Sequence, residues 1–162
     1  AVEAGLREAM NKGVLAGYRV VGVKATLVDG KYHEVDSKEI AFKMAAKLAY
    51  KAGMPQAKPV LLEPIVRLDV VAPEEFTGTI IGDFNKRRGL ILGMDLNEEG
   101  EQVVSAEVPM SEVMRYSTEL RSFTQGIGTY TQRFDRYEIA PQPIADKVIA
   151  HAARNLDDDE DE

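Results

Sequence analysis

The sequence predicts an α+β fold: a ferredoxin-like βαββαβ domain over residues 58–138, a partial split β-α-β unit before it over residues 1–57, and a C-terminal helix over 139–154. Three observations carry this expectation. Between about residues 61 and 135, strand-like alternation and helical apolar stripes succeed one another as β-α-β-β-α-β. Pro73 and Gly89 bracket one helix, and Pro109 and Gly126 bracket the other, so the two halves repeat. Met54–Pro59 holds two prolines and reads as a linker between units.

The elements follow in order. Val2, Leu6, Ala9 and Met10 make the apolar face of a helix ending at Gly13. No capping residue precedes it and the chain does not begin with Met, so the expectation is a piece cut inside or just before an element. Val21, Val23, Ala25 and Leu27 alternate as a half-buried strand that ends at the turn Asp29-Gly30. One strand cannot make a sheet, so its partners are expected in a preceding part or in another molecule. After the loop Lys31-Tyr32-His33-Glu34, Asp36 caps a helix with Glu39 as its capping-box partner, and Ala41, Met44, Ala45, Leu48, Ala49 and Ala52 form its buried stripe.

In the second unit Val66, Leu68 and Val70 alternate as the first strand. Pro73 starts a helix with Glu74 and Glu75 at the positive end of its dipole and Phe76, Ile80, Ile81 and Phe84 as its stripe. Lys86, Arg87 and Arg88 fall at its negative end, and Gly89 is expected in the left-handed C′ conformation. Leu90–Leu96 and Gln102–Val108 are strands joined by Asn97-Glu98-Glu99-Gly100. Ser111 caps a helix carrying Val113, Met114, Ser117 and Leu120, and residues 128–135 form the fourth strand. Ile144, Val148 and Ile149 are the apolar positions of a last helix over 141–153.

Composition narrows the function classes. The chain has 162 residues, 44% hydrophobic and 29% charged, enough for one larger or two small cores. There is no cysteine, which fits a reducing compartment, and two histidines make a zinc site improbable. No apolar run is long enough to span a bilayer and no secretory signal is visible. The net charge is −7, but residues 157–162 are all acidic and carry six of those charges, so the body stands near −1 and has room for local basic patches. Residues 155–162 are expected to be a solvated, disordered acidic tail.

No phosphate loop, dinucleotide fingerprint, zinc-protease motif or nucleophile elbow is present. Gly126-Ile127-Gly128 reads as a strand start where backbones approach closely. Asp29, Glu34 and Asp36 beside His33 could suggest a metal site, but turn and helix-cap roles explain Asp29 and Asp36 more cheaply. Lys86, Arg87 and Arg88 have two readings: cations matching a helix C-terminus, or a phosphate-contacting patch to which Arg115 and Arg121 would add. His33, at a loop tip, is either an exposed polar residue or a contact to a partner.

Four segments resemble the C-terminal part of bacterial elongation factor G, or of an elongation-factor-G-like translational GTPase. Residues 27–43, LVDGKYHEVDSKEIAFK, are similar to the middle of its fourth domain, a ribosomal-protein-like fold. Residues 59–65, PVLLEPI, residues 82–89, GDFNKRRG, and residues 120–126, LRSFTQG, are similar to successive signatures of its fifth domain. The chain departs from the family at Ile127, at Arg115-Tyr116-Ser117, at Met94-Asp95-Leu96 and in its acidic tail, which leaves true elongation factor G and a paralogue both open. The tip loop keeps the translocase pattern rather than that of the ribosomal protection proteins.

The resemblance implies a cytoplasmic, monomeric, ribosome-binding part of a factor that moves transfer RNA and messenger RNA. GTP and magnesium belong to a domain outside these residues, and no catalysis, cofactor or membrane contact is expected within them. Asp29, Gly30, Lys31, Tyr32, His33, Glu34 and Asp36 are then the tip loop facing the decoding centre. Lys86, Arg87, Arg88, Arg115 and Arg121 are then contacts to ribosomal RNA. The alternative is a stand-alone ferredoxin-like module that binds a small ligand or oligomerises through open sheet edges.

Overall fold

The computed structural model describes residues 1–160, with side-chain environments through Arg154. Of the expected acidic tail, 155–162, residues 161–162 lie outside that description, while the last helix continues to Glu160. The chain forms two compact units: residues 62–139, and residues 1–61 together with the chain from Ala140 onward.

The second unit is a four-stranded antiparallel sheet in the order β2-β3-β1-β4, built from β1 (Leu62–Ala72), β2 (Leu90–Leu96), β3 (Gln102–Pro109) and β4 (Thr129–Ile139). This is the split βαβ arrangement that the sequence predicts. Val66, Leu68, Val70 and Ala72 of β1 and Val104, Ala106 and Val108 of β3 point to one face and are fully buried. Helices α3 (Thr77–Lys86) and α4 (Tyr116–Phe123) cover that face with Ile80, Phe84, Tyr116 and Leu120. Phe84 stacks near Tyr116 with ring centroids 6.0 Å apart, and Tyr116 meets Tyr130 edge-on at 5.1 Å.

Several boundaries differ from the sequence expectation. A single 3-10 turn, Glu74–Phe76, follows Pro73, and α3 proper starts at Thr77. Likewise Met110–Glu112 is a 3-10 turn, α4 starts only at Tyr116, and Met114 points into solvent. Tyr116, absent from the expected stripe, is among the largest fully buried side chains. The left-handed residue after α3 is Arg88 (φ 58°), not Gly89. Gly89 is needed for a different reason: a Cβ there would stand 2.8 Å from the Phe84 carbonyl, whose oxygen accepts the Gly89 N–H at 2.8 Å. The other half repeats this cap, with Gln125 left-handed (φ 56°) and Gly126 N–H donating to the Arg121 carbonyl. Both are six-to-one closures of a Schellman type.

The first unit holds α1 (Val2–Ala9), α2 (Glu39–Gly53), a 3-10 turn Met54–Ala57 and α5 (Gln142–Glu160). A Cβ on Gly5 would stand 2.6 Å from the Lys43 carbonyl, so α1 and α2 touch backbone to backbone there. That contact selects the face of α2 that is buried. Ala46 and Tyr50 are covered, whereas Ala41, Met44, Ala45, Leu48, Ala49 and Ala52, the expected stripe, are exposed, with Met44 at 51% and Leu48 at 63%. Residues 18–28 form no strand, and Val21, Val23, Leu27 and Val28 are exposed. A lone segment has no neighbour to complete a ladder, so the alternation alone cannot make a strand. Nor does Asp36 cap α2. Lys38 occupies the N-cap position without a side-chain bond.

Candidate functional site

The loop from Asp29 to Asp36 is shaped by its own backbone bonds. Asp29 Oδ1 accepts the Gly30 N–H at 2.7 Å. The His33 N–H donates to Ser37 Oγ at 2.5 Å and the Ser37 N–H returns a bond to the His33 carbonyl at 2.9 Å. These two bonds close a turn over Glu34, Val35 and Asp36 and feed directly into α2. Polar groups of the backbone are spent inside the turn, while Lys31, Tyr32, His33, Glu34 and Asp36 are exposed. Such a tip is built to present side chains rather than to bury them.

The basic cluster of the second unit divides in two. Arg87 is only 13% exposed. Its guanidinium donates to Asp83 Oδ2 at 2.7 Å, to the Glu112 carbonyl at 2.6 Å and to the Glu119 carboxylate, and it lies 5.1 Å from the Tyr116 ring centroid. Burial opposes its charge, yet Asp83 and Glu119 hold its pKa above the ordinary arginine value. Arg88 makes a two-pronged pair with Glu63 at 2.8 and 2.9 Å and a longer bond to Glu112 at 3.3 Å. Glu63, against a smaller cost of burial, raises its pKa. Arg87 and Arg88 therefore join the end of α3 to β1, to the Met110–Glu112 turn and to α4. Arg87 and Arg88, expected among the phosphate contacts, thus each engage three of their five N–H donors within the unit. Lys86, Arg115 and Arg121 are exposed and have no ion pair among the described residues.

Asp83 and Arg87 stand at i and i+4, a pairing visible in the sequence. Glu63, Glu112 and Glu119 stand 24 to 32 positions away from their arginines, and no local signal points to them.

Gly126-Ile127-Gly128 does not cradle a phosphate. A Cβ at Gly128 would stand 2.7 Å from Thr124 Oγ1, which accepts the Gly128 N–H at 3.0 Å and donates to the Leu120 carbonyl at 2.6 Å. The spacing serves close packing of α4 against the start of β4. Among the described residues no cluster of three His, Cys, Asp or Glu side chains could hold a metal, and no helix is long and apolar enough to cross a membrane.

Two helices on one face of a four-stranded antiparallel sheet, joined as two split βαβ halves, define a ferredoxin-like domain. Comparison with known families narrows this class. Residues 1–58 match elongation factor G, domain IV, and residues 60–148, more than half of the chain, match the elongation factor G C-terminus. The chain belongs to the elongation factor G family. Among solved structures it is similar to a crystal structure of a protein from Thermus thermophilus, with 48% identity and a TM-score of 0.84 over 94% of this chain. The match spans 23% of that longer protein.

Proposed function

We propose that these domains act on the ribosome, as the part of an elongation factor that helps move transfer RNA and messenger RNA during translocation. The observation that carries this is the match of both units, in order, to the fourth domain and C-terminus of elongation factor G. The exposed loop Asp29–Asp36 presents His33 towards the decoding centre. The second unit docks on ribosomal RNA through Lys86, Arg115 and Arg121, while Arg87 and Arg88 keep that surface rigid. The residues themselves make and break no bonds, and GTP hydrolysis belongs to another domain of a longer, cytoplasmic protein.

In that longer protein, His33→Ala is expected to slow single-turnover translocation about tenfold or more while GTP hydrolysis proceeds at its usual rate. Unchanged translocation would remove His33 from the tip role.

One observation favours a second reading. The edge strand β2 exposes Leu90, Leu92, Met94 and Leu96, and its only charged residue is Asp95. Unprotected edges recruit strands. A self-associating module would sediment as a dimer at micromolar concentration, whereas a ribosomal docking domain stays monomeric.

A further inference from the structure

The two edges of the four-stranded sheet are guarded unequally. β4 carries Arg133, Asp135, Arg136 and Glu138, and Arg136 pairs with Asp135, with Glu138 and with Glu107 of β3. Charges on an edge strand deter further pairing. β2, at the other edge, borders β3 alone and has Asp95 as its one charged residue. Its backbone makes no hydrogen bond outside the sheet among the described residues. The ladder with β3 slips between Ile91 and Gly93, and residues 93–96 then run regularly, with Met94 opposite Val104 and Leu96 opposite Gln102. Val104 is buried, so Met94 and Leu96 project on the side that the helices cover, yet they are 51% and 67% exposed.

The charge along this edge selects what fits against it. Lys86, exposed and without an ion pair among the described residues, precedes β2. Glu98 and Glu99, equally exposed and unpaired among the described residues, follow it. Their turn is braced, because Asn97 Oδ1 accepts the Glu99 N–H at 3.1 Å and the Glu101 N–H at 2.8 Å. A strand with a cation before it and carboxylates after it complements its own copy in the antiparallel sense. Each cation then meets the other copy's carboxylates, and symmetry makes the match twice; in the parallel sense like charges meet. A two-fold axis at Met94 suits the side chains as well. It sets Leu92 opposite Leu96 of the second copy and Asp95 opposite Gly93, so that no carboxylate faces another. An axis at Asp95 would set the two aspartates against each other.

We infer that β2 is a homodimer interface, in which two copies of this chain pair their β2 strands antiparallel about Met94 and continue the sheet across the axis. This rests on the self-associating reading of the edge and gives it a partner, a direction and a register. The test uses the 162-residue chain, which has no cysteine, so that a single introduced thiol reports geometry. Directly opposed Cα atoms of an antiparallel pair lie about 4.5–5.5 Å apart, within the span of a disulfide. Met94→Cys is expected to give a covalent dimer on mild oxidation, in a yield about tenfold or more above that of Arg133→Cys on β4. In sedimentation equilibrium, Met94→Lys is expected to weaken the dimer about tenfold or more. Lys86→Glu, and separately Glu98→Lys with Glu99→Lys, are each expected to weaken it about threefold, and mixing these two variants to restore it as a mixed dimer. All of these side chains are exposed, and an unchanged circular dichroism spectrum shows that each variant is folded.

A chain that stays monomeric throughout the concentration series overturns the self-associating reading and this interface with it. A dimer that survives Met94→Lys, with Met94→Cys crosslinking no better than Arg133→Cys, keeps self-association and overturns β2 as its seat. A mixture of the charge variants that fails to recover overturns the antiparallel arrangement.

Discussion

The two units use charge and apolar surface in opposite ways. In residues 62–139 the core is closed: Val66, Leu68, Val70, Val104, Phe84, Tyr116 and Leu120 are fully covered, and Arg87 and Arg88 spend their donors on internal carboxylates. In residues 1–61 only Ala46, Tyr50 and Met54 of the apolar side chains are buried, α2 keeps an apolar stripe in solvent, and most cations have no ion pair among the described residues. The lesson is that a run of Lys and Arg says nothing of its availability. GDFNKRRG holds the densest basic cluster in the chain, yet two of its three cations hold the fold together.

The largest expected effect that sharpens this contrast is on packing. Phe84→Ala is expected to cost about 3–5 kcal/mol in the second unit, because it empties a site that α3, α4 and the sheet all line. Leu48→Ala on α2 is expected to change stability by less than about 0.5 kcal/mol. Urea unfolding followed by circular dichroism measures both, and similar losses would erase the distinction between the units.

Next comes the arginine clasp. Arg87→Ala leaves Asp83 and the Glu112 carbonyl without their shared donor, and breaking such a part-buried pair costs about 3 kcal/mol. Arg87→Lys is expected to recover less than half, since an ammonium cannot replace a planar fork that reaches three acceptors and covers a ring. Full recovery by lysine would mean that charge alone matters.

An effect smaller than that of the clasp, below pH 9 or so, concerns Tyr116. Its buried hydroxyl has no hydrogen-bond partner. Burial, with the nearby Asp83 carboxylate second, raises its pKa above the ordinary value of 10.0. A pKa raised in the folded state means stability that is complete below the unfolded value and is lost as pH climbs past about 10. Tyr116→Phe is therefore expected to lie within about 1 kcal/mol of the parent at neutral pH and to weaken the alkaline fall. An identical alkaline fall in the two proteins would shift that titration to another group.

Much of the second unit was legible because its signals are local. The alternation at Val66, Leu68 and Val70 and the stripe Ile80-Ile81-Phe84 each fall within one turn or one pleat, and both halves carry their own punctuation. The first unit was less legible for the same reason. The alternation at Val21–Leu27 is a local signal for a strand, but a strand exists only as a pair. The stripe on α2 marks an apolar face without saying what meets it, and the Gly5 contact with α1 turned Ala46 and Tyr50 inward instead.

The sequence by itself determined the order of elements between residues 61 and 139, the two repeated helix ends and the resemblance to elongation factor G, since each depends on neighbours within a few positions. Only the tertiary structure decided that Arg88 rather than Gly89 takes the left-handed position, that Tyr116 fills the core and that Arg87 and Arg88 answer to Glu63, Glu112 and Glu119. Those partners are far apart along the chain, and an ion pair is set by distance in space, which no period in the sequence records.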